Sequence, residues 1–309
     1  METKALILPT PSEIDQIYSD LGTSESKIEI DVKTIKEWMR KQPHLPNPDD
    51  DERRIKLYLI MCKNSLERAK EALDRYYTIK TSAPEFYAAR DPTSPELTQS
   101  RDLSMFIPLP KLTPEGYRIS VNIFRTDDTE HLSFSDQVKM SFMSFDLRLS
   151  KLDIYTKEIF VFDVNNMTMN HIAGVLPHLK HYFYCAFAAY PMRIHQVHII
   201  NMKTYATSLI TFAKSLLKKK ITERIFIHKS SEDLKEYIDP SVLPLNYGGT
   251  YPKTVEEICD GWTEELIKHR EWFIDHSSIV VDENKRAKKS SIKTLDNTLD
   301  GSFRKLEVD

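Results

Sequence analysis

Glycine is scarce in this chain, with seven residues in 309. Loops that cradle phosphate are built from closely spaced glycines, since only a residue without Cβ lets the backbone come near an anion. The scarcity argues against a nucleotide loop, and neither a P-loop nor a dinucleotide fingerprint occurs. Cysteine is scarcer still. Cys62, Cys185 and Cys259 lie far apart, form no Cys-x-x-Cys and read as reduced thiols. No run of 18 or more apolar residues is present, so no helix is expected to span a bilayer. Between Met1 and Tyr18 the apolar run is only Ala5 to Leu8, too short for the core of a signal peptide. These absences together predict a cytoplasmic protein. The net charge of −3 gives no global attraction to nucleic acid, so any anion must be held by a local patch.

Catalytic signatures are missing too. There is no Gly-x-Ser-x-Gly and no His-Glu-x-x-His. Two His-x-x-His pairs exist, His178/His181 and His195/His198. The first fits one face of a helix. The second runs into a strand, where i and i+3 face opposite ways. Asp163 ends a strand without an evident partner and reads as a turn residue. The expectation is no catalytic residue, no metal and no cofactor.

What is present is an ordinary globular composition, 40% apolar and 29% charged, in a chain long enough for a sizeable core. Residues 1–90 carry helical periodicity: Ile35, Trp38 and Met39 share a side, as do Ala69, Leu73, Tyr76 and Tyr77. Residues 91–100, with Pro92, Ser94 and Pro95, read as a linker. Over 101–278 strands alternate with helices. Ile119–Ile123, Ile159–Val164, Val197–Ile200 and the run at Ile225 are extended, and Phe134–Leu149 and His171–Ala189 are helical. That order predicts an α/β domain with a largely parallel sheet. Residues 279–309 are basic and read as a flexible tail.

From Tyr190 to Gly249 the order of elements is specific. Tyr190-Pro191-Met192-Arg193 leads to the strand Val197–Asn201. An amphipathic segment, Lys203–Arg224, ends in three lysines, and Leu243-Pro244-Leu245-Asn246-Tyr247-Gly248-Gly249 closes the series. This resembles the CRAL-TRIO lipid-binding family, within it the tocopherol- and retinaldehyde-binding branch. Lys63–Lys70 and Tyr76-Tyr77 resemble its helical N-terminal domain, Phe162-Asp163 a strand end, and Ile258, Cys259 and Trp262 its closing helix. Departures stand at Asn165-Asn166, Asn201-Met202-Lys203, Lys214-Ser215-Leu216, Asn246, His195 and Thr222.

The resemblance implies a lipid carrier whose Lys203–Arg224 helix is a lid over an apolar cavity. Tyr205, Leu209, Phe212 and Leu216 form one stripe, and Ile210, Ala213, Leu217 and Ile221 an adjoining one. This arc is wider than the roughly 100° that ordinary core packing uses. By analogy the cavity is lined by Phe160, Phe162, Val197 and Ile199 from strands, with Phe145, Tyr190, Met192 and Ile194. Leu209, Phe212 and Leu217 close it, and Ser141 either fixes a polar end of the ligand or bonds its own helix. Relatives bind phosphoinositide headgroups at positions matching Arg193, Lys220 and Arg224, with Lys218 and Lys219 beside them. The expected partners are a retinoid-, tocopherol- or carotenoid-class lipid and a phosphoinositide-bearing membrane touched transiently, with no nucleic acid. A phospholipid exchanger or phosphoinositide sensor, and an adaptor whose pocket is filled by side chains, are the alternatives.

Overall fold

The structure is a computed structural model and describes residues 4–287. Helix α1 (Pro11–Asp20) opens with a capping box between Thr10 and Glu13, and α2 (Glu25–Arg40) is capped by Ser24. Along α2, Ile28, Val32, Ile35 and Met39 recur at helical spacing and are buried. Helices α3 (Glu52–Met61) and α4 (Leu66–Ser82) meet at a turn where Lys63 and Asn64 both have positive φ. A short α5 (Pro84–Tyr87) follows, then α6 (Pro95–Leu103). Most of the expected linker is therefore helix. Ser94 and Pro95, which read as linker punctuation, are the N-cap and first residue of α6, and Leu97 is buried.

The second half alternates as expected: β1 (Ser104–Pro108), β2 (Tyr117–Phe124), α7 (Phe134–Ser150), β3 (Lys157–Asp163), α8 (Met169–Val175), α9 (Leu179–Ala189) and β4 (Ile194–Ile200). Then come α10 (Thr207–Leu216), α11 (Lys219–Thr222), β5 (Ile225–Ile227), α12 (Val255–Lys268) and α13 (Arg270–Ser277). The sheet order is β1-β2-β3-β4-β5, parallel throughout except for β1 against β2. The α/β fold with a mostly parallel sheet is thus present. β1 goes beyond the sequence reading: it is an edge strand of five residues ending at a proline, a position that edges tolerate.

The two faces of the sheet are covered differently. One carries Ile107, Ile119, Val121, Ile159, Val161 and Ile200 against Leu243, Tyr247, Ile258 and Trp262. Trp262 is fully buried and its indole N–H donates to Ser144 Oγ at 3.0 Å. Tyr247 explains the Asn-Tyr-Gly-Gly motif, since its hydroxyl donates to Asp163 Oδ2 at 2.7 Å. Asp163 Oδ1 accepts from Asn201 and from the backbone of Asn165, so its role is to tie the strand end. Gly249 must be glycine, because a Cβ there would sit 2.0 Å from the Leu243 carbonyl.

The other face carries Phe106, Phe160 and Val197 into a core continuous with Ile35, Ile55, Tyr58 and Leu73 of the N-terminal helices. The expected tail from residue 279 begins docked on these helices. Val281 is buried and bonds Thr81 Oγ1, and Arg286 forks onto Asp74 at 2.9 Å through two nitrogens. The remainder of that tail lies outside the described residues.

Candidate lipid seam and basic edge

The segment expected to be one lid helix is broken. A 3-10 turn at Thr204–Ala206 leads into α10, then Leu217 and Lys218 are extended (ψ 152° and 147°) before α11. Hydroxyl back-bonds accompany the break. Thr211 bonds the carbonyl of Thr207 and Ser215 that of Phe212, local bonds that compete with helix continuation.

Helix α10 is amphipathic but poorly covered. Leu209, 8% exposed, is its one buried side chain, whereas Ile210, Ala213 and Leu216 are half-buried. Opposite them Tyr182 and Phe183 of α9, Phe162 of β3 and Ile225 of β5 are also half-buried and pack on the same cluster. Phe160, Val197 and Ile225 align across β3, β4 and β5, as do Phe162, Ile199 and Ile227. Ile227 is 49% exposed, so this face runs out from under cover towards β5. The result is an apolar seam bounded by α9, α10 and three strands.

The sequence-chosen cavity residues divide between seam and core. Phe162, Ile199 and Leu209 border the seam, Leu217 packs half-buried against the continuous core, and Val197 lies just beneath the seam. Phe145, Phe160, Met192 and Ile194 are buried in the continuous core, where Phe106 lies 5.0 Å from Phe145 and 6.2 Å from Phe160 between ring centres. Phe212 lies on the outer side of α10, 38% exposed, rather than closing the cavity. Ser141 Oγ donates to the Gln137 carbonyl at 2.9 Å, which settles its hydroxyl on its own helix.

Tyr190 serves another purpose. It stacks on Phe145, and its hydroxyl donates to Asp146 Oδ1 at 3.2 Å. Asp146 is fully buried and also takes bonds from Arg54 (3.0 Å), Arg90 (2.7 Å) and Tyr76. Burial opposes its charge, yet Arg54 and Arg90 hold its carboxyl well below the usual range. This junction of the helical region with α7 was missed by sequence reasoning. The available signal was an aspartate inside the apolar run Phe142–Leu149.

A cavity of about 70 Å³ opens between α3, α4 and the turn before β4, lined among others by Cys62, Arg68, Arg75, Phe187 and Met192. It is far below the roughly 300–1,000 Å³ typical of ligand pockets.

The expected headgroup residues gather at one edge of the sheet. Arg193 immediately precedes β4, and Arg224 precedes β5 with Nη1 donating to the Ile194 carbonyl. Lys218 is half-buried, and Lys219 and Lys220 are exposed on α11. Lys219 pairs with Glu223 at 3.7 Å. Two residues not anticipated join them: Lys157, which opens β3, and Tyr117, whose hydroxyl lies 3.3 Å from Lys157 Nζ.

Known proteins place this architecture. The CRAL/TRIO domain family matches residues 104–249, and the Pinta-like, UBA domain family matches residues 24–97. Residues 104–249 are therefore a CRAL-TRIO domain. An alpha-tocopherol transfer protein-like protein of Mus musculus is 23% identical over 250 residues, 79% of this chain and 71% of that one. The protein of the same description from Homo sapiens is 23% identical over 227 residues, of whose length this chain covers 65%. The crystal structure of Sfh5 aligns over 85% of this chain with 10% identity and a TM-score of 0.47. No helix among the described residues is long and apolar enough to cross a membrane.

Proposed function

We propose that this protein carries one small hydrophobic lipid, of the retinoid, tocopherol or carotenoid class, in the seam beneath α10. It delivers that lipid from the cytoplasm to phosphoinositide-bearing membranes. The observation that carries the reading is α10 itself, an amphipathic helix with one buried side chain over an incompletely covered apolar face. Such a helix lies over its neighbours without being locked to them. Enclosing a lipid of about twenty carbons contributes roughly 16 kcal/mol gross at ~0.8 kcal/mol per methylene. Escape to water is therefore slow. Transfer to a bilayer keeps the lipid in an apolar medium and costs far less, so opening α10 at a membrane controls release. The extended Leu217–Lys218 pair is the hinge, and it leads directly into the lysines of α11.

Incubation with a mixed neutral-lipid and phospholipid extract, followed by native mass spectrometry, tests the reading. One discrete bound mass is expected. A spread of phospholipid masses would replace the carrier with an exchanger. No bound mass at all would favour an adaptor, a reading helped by the ring packing of Phe106, Phe145 and Phe160. Charge reversal at Lys219 and Lys220 is expected to slow transfer to anionic vesicles and leave lipid affinity intact; unchanged transfer would sink the headgroup step.

A further inference from the structure

Lys157, Arg193 and Arg224 come together at the edge of the sheet where β2, β3 and β4 begin, and none of the three forms an ion pair with a carboxylate among the described residues. Arg193 is half-buried and forms no ion pair among the described residues, and burial pulls its guanidinium below its ordinary value. Lys157 Nζ lies 5.0 Å from the centre of the Tyr117 ring and bonds its hydroxyl. Glu158, next along the strand, is buried and pairs with Arg148 at 2.8 Å, on the far side of that network. Arg224 is held to the edge by the Ile194 carbonyl. Half-buried positive charge without a counter-charge is costly, and an incoming anion relieves that cost.

His195 stands in the middle of this group. Its ring lies 4.4 Å from the Tyr117 ring, and it is half-buried. The charged groups acting on it come from every neighbouring element: Lys157 of β3, Arg224 before β5, and Glu115 on the loop before β2. Tyr117 and Arg193 flank it, and His198 senses it from further along the same strand. Burial first, then Lys157 and Arg224, push its proton off, with exposed Glu115 pulling the other way. Without a ligand the imidazole is neutral near pH 7.

We propose that this edge binds phosphomonoester groups with uptake of one proton by His195, so that docking tightens as pH falls. The inference rests on the headgroup reading of the edge given above. A phosphate dianion set among Lys157, Arg193 and Arg224 reverses the local field and makes the imidazolium one more donor to it. The phosphate also titrates, with a second pKa of about 6, and its own protonation weakens binding at low pH. Only the difference between the protein and a His195 variant therefore isolates the coupling.

The test measures binding to phosphatidylcholine vesicles with and without phosphatidylinositol bisphosphate, from about pH 5.5 to about pH 8. A second arm uses soluble inositol phosphate. Relative to His195→Gln, the unmodified protein is expected to gain up to about tenfold in affinity per pH unit as pH falls. His195→Lys is expected to bind tightly throughout, which guards against a variant that has merely misfolded. The same gain with soluble inositol phosphate assigns the coupling to the phosphate groups; a gain on vesicles alone assigns it to the headgroup within a bilayer. Parallel pH profiles for the protein and His195→Gln would overturn the proton coupling and leave the headgroup site standing. No preference for the phosphoinositide vesicles at any pH would instead overturn the headgroup reading itself.

Discussion

The two faces of the sheet share the same strands and the same apolar residue types, yet one is sealed and the other is not. On the sealed face Ile107, Val121, Leu243 and Trp262 are essentially fully buried, and a strand end is tied through Tyr247 to Asp163. On the seam face α10 contributes one buried side chain, and exposure rises across β5. Burial contributes in proportion to the area removed from water, so the sealed face holds the fold together. The seam face has apolar surface still to cover. On the proposed function, stability and lipid binding are divided between opposite sides of five strands.

The comparison breaks most sharply at Trp262. Trp262→Ala is expected to cost about 3–5 kcal/mol in denaturant melts, through a large cavity and the loss of the bond to Ser144. A loss below about 1 kcal/mol would mean that the sealed face is not sealed. Asp146→Asn, at the junction of the seam-face core with the helical region, leaves Arg54 and Arg90 buried without their shared counter-charge. At least about 3 kcal/mol is expected, again by chemical denaturation.

Acid should act next. Burial, then the neighbouring His228, holds His198 at about 4, and burial holds His276 at about 4 against the pull of Asp51. Both values are depressed below the unfolded one of about 6.5, so the unfolded chain binds these protons first. Stability is present above about pH 6.5 and is lost as pH falls through about 4. Thermal melts across that window should show the decline, and His276→Gln should flatten part of it. The smallest effect belongs to the seam. Phe212→Ser is expected to change stability by less than about 0.5 kcal/mol, because the ring is already partly in water. Amide exchange sharpens the same contrast: α10 should exchange well before α12, and a bound lipid should slow α10 selectively.

Much of the fold was legible in the sequence because periodicity reports burial. The alternation at Ile119–Ile123 and the helix from Phe134 to Ser150 follow from patterns of 2 and 3.6 residues. Turn chemistry misled twice. Ser94 and Pro95 begin a helix as readily as they punctuate a linker, and hydroxyl back-bonds around Ser215 accompany the break in an otherwise amphipathic segment. The candidate site was legible only as a set of residue types. Phe145, Phe160 and Phe162 are alike in sequence, and their neighbours in space decide that the first two are core and the third borders the seam.

What the sequence determined by itself is which residues seek burial and at what period, since that preference is local and carried by each side chain. Which apolar face stays half-covered, and which cations meet at the sheet edge, were decided by tertiary structure. Lys157, Arg193, His195 and Arg224 converge because parallel strands bring their starting ends to one side, across separations that no local pattern records.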